Sequence, residues 1–385
     1  MTLQSTNSTA RSAWTTPLAI LLVSRLGVWM LAFLGQSLMY APRQSQEALP
    51  GNLLLDGWTR WDGQWYARLA INGYTGQSFD ESGQRDIGQL PLYPWTIRAV
   101  SWLIGDVHVA GILISNMSFV AAGMLLWKLI ERQFDRETAR RAIVLWCVWP
   151  FSYTYSAMYT ESLFMLCVSG AFVLGERRFW PAAAACAAAA GMTRVTGTAA
   201  AVALCVMYLQ SVQWRVREIR WNAAWLLLGF AGIASFMLML GIRFGEPLAF
   251  VRAHSAAGWG DFNSLGELKN VLSQWRSATF GNFASGNVPL LHTMHLLAMA
   301  LAAVLCLVGL RKLPLAWSAF AVLVVIASYY RWACFGRHFA TVWPAFVVAA
   351  VLLRGAPGVY HGIVYICALM LALLTMMFTQ GYWVA

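Results

Sequence analysis

Runs of about twenty apolar residues recur along this chain between positions 17 and 378, and short arginine-bearing segments separate them. That length is what a helix needs to cross the hydrocarbon of a bilayer. The pattern commits the chain to an all-α, polytopic membrane protein. Composition agrees: of 385 residues, 59% are hydrophobic and 11% charged, where a soluble protein carries about 25% charged residues. The net charge of +11 does not point to nucleic acid. Its basic residues are scattered between the apolar runs, as topology determinants are. Residues 1–385 read as one integral membrane domain.

We read about eleven transmembrane helices, near 17–39, 107–130, 142–155, 158–174, 179–192, 195–210, 223–242, 288–310, 313–330, 338–353 and 359–378. The polar stretch 1–16 precedes a run too long for a signal-peptide core, which reads as a retained first helix. Residues 91–104 are too short and interrupted to span, so they are expected to be interfacial or re-entrant. With Arg11 inside, the arginine-rich segments 132–141, 177–178, 215–220, 311–312 and 354 all fall on the cytoplasmic side. Two long loops, about 41–90 and 244–287, then fall outside. The spacing of Leu265, Leu268, Val271, Leu272 and Trp275 predicts an interfacial helix in the second loop. The alanine run 182–190 predicts close helix packing. The seven cysteines have no CxxC spacing and read as small core residues. The breaks at 149–161, at Arg194 and at 331–338 land near the outer face, beside the two loops. Polar residues distant in sequence therefore converge on one side of the membrane, where a site is expected.

The first loop opens on Arg60-Trp61-Asp62-Gly63-Gln64-Trp65-Tyr66. On a helix, Asp62, Trp65, Tyr66 and Leu69 share one face. Trp and Tyr rings favour the membrane interface, so a short interfacial helix is expected here. Asp62 is then either a capped surface residue or a base beside a membrane-embedded site. Glu161, at the outer end of an apolar run, is costly unless paired or solvated. It can pair with Arg194, line a site, or do both. Arg25, inside the first run, either has a functional role or snorkels to headgroups. Arg331, Arg337 and His338 sit at the mouth of a late span. An arginine fork suits phosphate, and headgroup contact is the alternative. His254 is a surface residue or a ligand. No Gly-rich phosphate loop, GxSxG elbow or HExxH is present. No cofactor or metal is expected.

These segments together resemble the PIG-V-type GPI mannosyltransferases and their bacterial relatives. The carriers are the 60–66 stretch followed by Ile71-Asn72-Gly73-Tyr74, then Leu90-Pro91-Leu92-Tyr93-Pro94, with Gln89-Leu90 where paired aromatics are usual. Trp149-Pro150 through Tyr159-Thr160-Glu161-Ser162-Leu163-Phe164 follows, then Arg194 opening an R-x-x-G element, Phe244-Gly245-Glu246-Pro247-Leu248, and Arg337-His338 to Pro344. Each motif is weak alone; their order and spacing are specific. The resemblance implies the GT-C superfamily of multi-span glycosyltransferases. It implies inverting transfer of a hexose, typically mannose, from a polyprenyl-phosphate donor to a lipid-linked or glycan acceptor hydroxyl at the non-cytoplasmic face. Asp62 would be the base. The candidate substrate-binding set is Arg60, Trp61, Trp65, Tyr66, Tyr93, Tyr159, Glu161, Arg194, His254, Arg331, Arg337 and His338. A bacterial cytoplasmic membrane with an outward-facing site is expected. The rival is a transporter or flippase of lipid-linked or small solutes, which intramembrane charges and broken helices also fit.

Cysteine-accessibility labelling tests this topology. Single cysteines at Ser82 and Ser264 should both react from the outside, and labelling of the two from opposite faces would refute the assignment.

Overall fold

A computed structural model describes residues 4–39, 47–77, 85–255 and 265–384, with the side chains from position 15 onward. Ser82, Trp259, Asp261 and Ser264 lie outside the described residues. Every regular element described is helical. Helices α1 (Gln4–Leu38), α2 (Asp62–Asn72), α3 (Leu92–Ile104), α4 (Val107–Gln133), α5 (Arg136–Val148), α6 (Glu161–Glu176), α7 (Trp180–Thr193), α8 (Thr198–Ser211) and α9 (Leu228–Phe244) make the first part. The short α10 (Ala249–Ser255), α11 (Leu265–Arg276) and α12 (Phe280–Ala284) lead to α13 (Leu290–Lys312), α14 (Leu315–Ser328), α15 (Phe335–Ala340), α16 (Trp343–Leu352) and α17 (Pro357–Thr379).

Among the described residues, six stretches are long and apolar enough to cross a membrane: Thr15–Leu38, Val107–Gln133, Trp221–Phe244, Leu290–Lys312, Leu315–Ala340 and Pro357–Thr379. The other expected spans are shorter helices. At about 1.5 Å per residue, the 16 residues of α6 reach roughly 24 Å of a hydrocarbon layer about 30 Å thick. Helices α5, α7, α8 and α16 are shorter still. The span expected at 338–353 divides. His338 belongs to α15, and α16 starts afresh at Trp343 with Pro344 in its first turn. Proline lacks an N–H and its ring clashes with the carbonyl four residues back, so the two helices cannot merge. Helix α5 begins earlier than expected because Asp135 accepts the Thr138 N–H (2.8 Å) as N-cap. Helices form where short interfacial ones were expected, at α2, α11 and α3; the 13 residues of α3 are too few to span.

Helix α6 packs between α4 and α7, and α7 packs on α9. The alanine run makes this close. Ala183, Ala184, Ala187 and Ala190 are buried, and a Cβ at Gly232 would lie 1.9 Å from the Ala188 carbonyl oxygen. An aromatic cluster under the first loop, including Trp58, Tyr66, Tyr93, Phe151, Tyr153, Tyr159 and Phe378, joins α2, α3, α17 and the irregular segment after α5.

Arg25 settles its two readings in favour of an inward role. It is buried, and its guanidinium lies 4.3 Å from the Phe119 ring centroid. Nη1 donates to the Ser152 carbonyl (2.8 Å) and Nη2 to the Cys147 carbonyl (3.1 Å). It thus adds donors to carbonyls where α5 breaks off, the Cys147 carbonyl also accepting from Ser152 Oγ (2.6 Å). Arg25→Met should destabilise the protein, since hydrogen bonds made by a charged group contribute about 1.5–3 kcal/mol each. Thermal unfolding in detergent should show a clear fall in Tm, and an unchanged Tm would count against this role.

Candidate active site

The short helices stop where the charges are. Asp62 is the first residue of α2 and Glu161 the first of α6, each in a first turn. Arg194 caps the C-terminus of α7, and Arg337 lies in the last turn of α15. Anions are favoured at helix N-termini and cations at C-termini. All four charged groups obey that rule, and the four helix ends meet.

Arg337 is the hub. Its Nη1 donates to Asp62 Oδ2 (2.6 Å), its Nε donates to Glu161 Oε1, and its guanidinium lies 4.2 Å from the Tyr159 ring centroid. Arg194 Nη1 donates to the same Glu161 oxygen (2.6 Å) and to Thr160 Oγ1 (3.0 Å). Arg194 Nη2 donates to His338 Nδ1 (2.8 Å), which fixes that ring as the neutral tautomer protonated at Nε2. Two carboxylates and two guanidiniums therefore balance. The Glu161 side chain is wholly buried, whereas that of Asp62 is 21% exposed. Glu161 Oε2 and the hydroxyls of Tyr153 and Tyr159 are buried without hydrogen-bond partners among the described residues. Buried polar atoms are rarely left so, and acceptor and donors here suit a polar ligand.

Local structure aims Asp62. Trp61 turns the chain into α2 with φ 54°, a left-handed conformation costly for a bulky residue. The Met158 N–H donates to the Trp58 carbonyl (2.8 Å), tying the first loop to the segment that leads into α6. Behind α2, Tyr66 stacks edge-on against Tyr93 (centroids 5.1 Å apart) and donates to Gln89 Oε1 (3.1 Å). Burial, with the Asp62 charge adding to it, holds the Tyr66 hydroxyl well above its ordinary pKa, so it stays a donor. Tyr93 donates to the Gly111 carbonyl (3.0 Å) and meets Ser115 Oγ (2.7 Å).

The other expected residues divide. Glu161, Arg194, Arg337, His338, Tyr159 and Asp62 form one network, in which Glu161 pairs with Arg194. Arg60 is buried and pairs with Asp56, whose Oδ1 accepts the Ala48 and Leu49 N–H groups, so it braces the loop. Trp65 is buried. Trp61 is 40% exposed and packs edge-on against Trp383. Arg331 is half-buried over the Tyr330 ring in a 3-10 turn, Tyr329–Cys334. His254 is half-buried on α10 and donates from Nδ1 to the Phe250 carbonyl (2.8 Å). Burial, with Arg331 adding to it, pushes its pKa down to about 3, so it is neutral at physiological pH. Sequence reasoning passed over Thr160, Tyr153 and the bonding role of Gln89. Gln89 stood out only as a polar residue where an aromatic was expected. Among the described residues no group of three or more His, Cys, Asp or Glu gathers in metal-binding geometry.

Stretches of this chain, and its fold, are similar to known proteins. Residues 89–241 match the family described as dolichyl-phosphate-mannose-protein mannosyltransferase. GPI mannosyltransferase 2 of Cryptococcus neoformans is 32% identical over 146 residues, 36% of this chain and 34% of that protein. GPI mannosyltransferase 2 of Drosophila pseudoobscura is 26% identical over 121 residues, 29% of this chain and 25% of its own. The match thus spans about a third or less of these curated relatives. The crystal structure of ArnT from Cupriavidus metallidurans bound to undecaprenyl phosphate covers 90% of this chain and 62% of its own, at 13% identity and a TM-score of 0.51. The fold is that of ArnT. Over these stretches the chain is similar to mannosyltransferases, the kind of protein its motifs resemble.

A buried network of this kind is destabilised most by removing one partner, at about 3–5 kcal/mol. Glu161→Gln should therefore lower Tm strongly, and adding Arg194→Gln should restore part of the loss. Additive losses in the double variant, read by thermal unfolding, would show that the two residues do not act as a pair.

Proposed function

We propose that this chain is an inverting GT-C glycosyltransferase. It moves a hexose, mannose by its relatives, from a polyprenyl-phosphate donor to an acceptor hydroxyl. The observation that carries the reading is Asp62: a carboxylate at the open edge of an otherwise buried, charge-balanced network. Its Oδ2 is engaged by Arg337, and its Oδ1 has no hydrogen-bond partner among the described residues. In the proposed step Oδ1 takes the proton of the acceptor hydroxyl. The hydroxyl oxygen bonds to the anomeric carbon, the bond from that carbon to the phosphate oxygen breaks, and its electron pair leaves on the phosphate. Phosphate is a competent leaving group, so a placed base and nearby cations supply what the step needs. Arg337, with Arg331 near the same mouth, is the proposed phosphate partner.

The membrane setting supports this reading. Counting α5, α6, α7, α8 and α16 as shortened spans beside the six long stretches gives about eleven. Their short ends then meet on the non-cytoplasmic side, where lipid-linked sugar can approach from the bilayer. The curated relatives matched come from a fungus and a fly, so they lend nothing to a bacterial placement. The comparisons do not favour the transporter alternative, which needs no base at the open edge of the network.

Asp62→Asn keeps size and the acceptor for Arg337 but cannot take the proton. It should fold with a smaller loss of Tm than Glu161→Gln, because Asp62 is part exposed and keeps a neutral acceptor for Arg337, bind undecaprenyl phosphate, and transfer about 10²–10⁴-fold more slowly. The check is single-turnover transfer of radiolabelled mannose from polyprenyl-phosphate mannose into lipid extracts of the host membrane. Stable Asp62→Asn protein turning over at the parent rate would falsify the assignment.

A further inference from the structure

Helix α15, which carries Arg337, has only six residues. A helix this short does not hold itself in place. Yet Arg337 reaches carboxylates on two other helices at once. The constraint comes from its neighbour Gly336, which is gripped on three sides. The Gly336 N–H donates to Nδ1 of His295, on α13 (3.0 Å). The Gly336 carbonyl accepts the indole N–H of Trp149, at the C-terminus of α5 (2.8 Å). The third side is closed by Phe151: a Cβ on Gly336 would lie 2.2 Å from its ring, so only glycine fits. That ring in turn lies against the His295 imidazole, centroids 4.9 Å apart at 33°. The Trp149 indole also packs on Phe339, 4.4 Å between centroids.

His295 is buried among apolar residues of α13, one turn after His292. With Nδ1 accepting, the ring is neutral and protonated at Nε2, which has no partner among the described residues. A histidine held there at that desolvation cost does more than fill space. Leucine or phenylalanine would fill the position and leave the Gly336 N–H orphaned. We propose that His295 and Trp149 are positioning residues for Arg337: by fixing both polar groups of Gly336 they hold the guanidinium between Asp62 and Glu161. The inference rests on the reading of the Asp62–Arg337 site given above. Neither residue touches the charged network; both act through the backbone one residue away. Reacting groups tolerate little misplacement, with about 1 Å costing on the order of 10²-fold in rate.

The test uses the full chain in nanodiscs and the single-turnover mannose transfer assay, with Asp62→Asn run alongside. His295→Leu should slow transfer about 10–100-fold in protein whose folded fraction is normalised. His295→Asn keeps an acceptor close to the Nδ1 position and should stay within about threefold of the parent, the scale of one altered neutral hydrogen bond. Trp149→Phe keeps the ring packing, loses the N–H, and should slow transfer roughly 3–10-fold. In an Arg337→Lys background, His295→Leu should add less than about threefold, because the group it positions is already replaced. A purely packing role makes Leu and Asn equally slow and the losses multiplicative, and either result overturns the proposal. Should His295→Leu fail to fold, Trp149→Phe decides, and a parent-like rate overturns it. Slow Asp62→Asn beside an indifferent His295→Leu sinks this inference alone. Normal transfer by Asp62→Asn sinks the proposed function itself.

Discussion

Four charges meeting at four helix ends tie the short helices of this protein together. Asp62 and Glu161 begin α2 and α6; Arg194 and Arg337 end α7 and α15. Charges inside a membrane are expensive, and two features reduce the cost. Each sits where its helix dipole favours its sign, and each is bonded to an opposite partner. Neither alone suffices, because an intramembrane ion pair still loses its hydration. The network therefore requires helices that end inside the bilayer's width, since only a helix end supplies the dipole.

That requirement explains the architecture around it. Helices α5, α6, α7 and α16 stop short of a full span, and the backbone freed at each stop needs partners. Arg25 supplies them at the end of α5. Tyr155 and Trp146 both donate to the Ala340 carbonyl, at the end of α15. The Met158 N–H to Trp58 carbonyl bond fastens the first loop to the segment that leads into α6. Aromatic rings fill the space between these polar ties. Rings suit the place because they are large, stiff and able to end in a polar group. The site is thus lined by backbone breaks that other parts of the chain have closed.

Local patterns made part of this legible. Apolar runs located the long helices, the i, i+3, i+4, i+7 spacing placed Trp65, Tyr66 and Leu69 on the buried side of α2, and cost alone pointed Glu161 toward an arginine. What stayed hidden was long-range. Arg337 lies 275 residues from Asp62 and 176 from Glu161, and no periodicity joins them. The Arg60–Asp56 pair has ordinary helical spacing, but the aromatic motif around Arg60 drew attention to ligand binding instead of bracing. His295 looks like one more residue in an apolar run until Gly336 is seen against it. The division at Thr341–Val342 was signalled by Pro344, whose effect falls on the preceding residues, and the uninterrupted hydropathy masked it.

The balance of the network also bears on the proposed reaction. Before transfer, the phosphate of a lipid-linked sugar is a diester with one negative charge. After transfer it is a monoester carrying about −1.5 to −2 near neutral pH, as phosphate monoesters do. Negative charge appears on the phosphate as Asp62, taking the acceptor proton, loses its own. The guanidinium of Arg337 is left facing a neutral carboxyl on one side and a more strongly charged phosphate on the other. Its attraction shifts from Asp62 to the leaving group in the same step, while Glu161, buried and held by both arginines, keeps it anchored. An arginine shared between base and leaving group stabilises charge where it develops, without moving far. A lysine in its place would carry the charge without the fork that spans two partners.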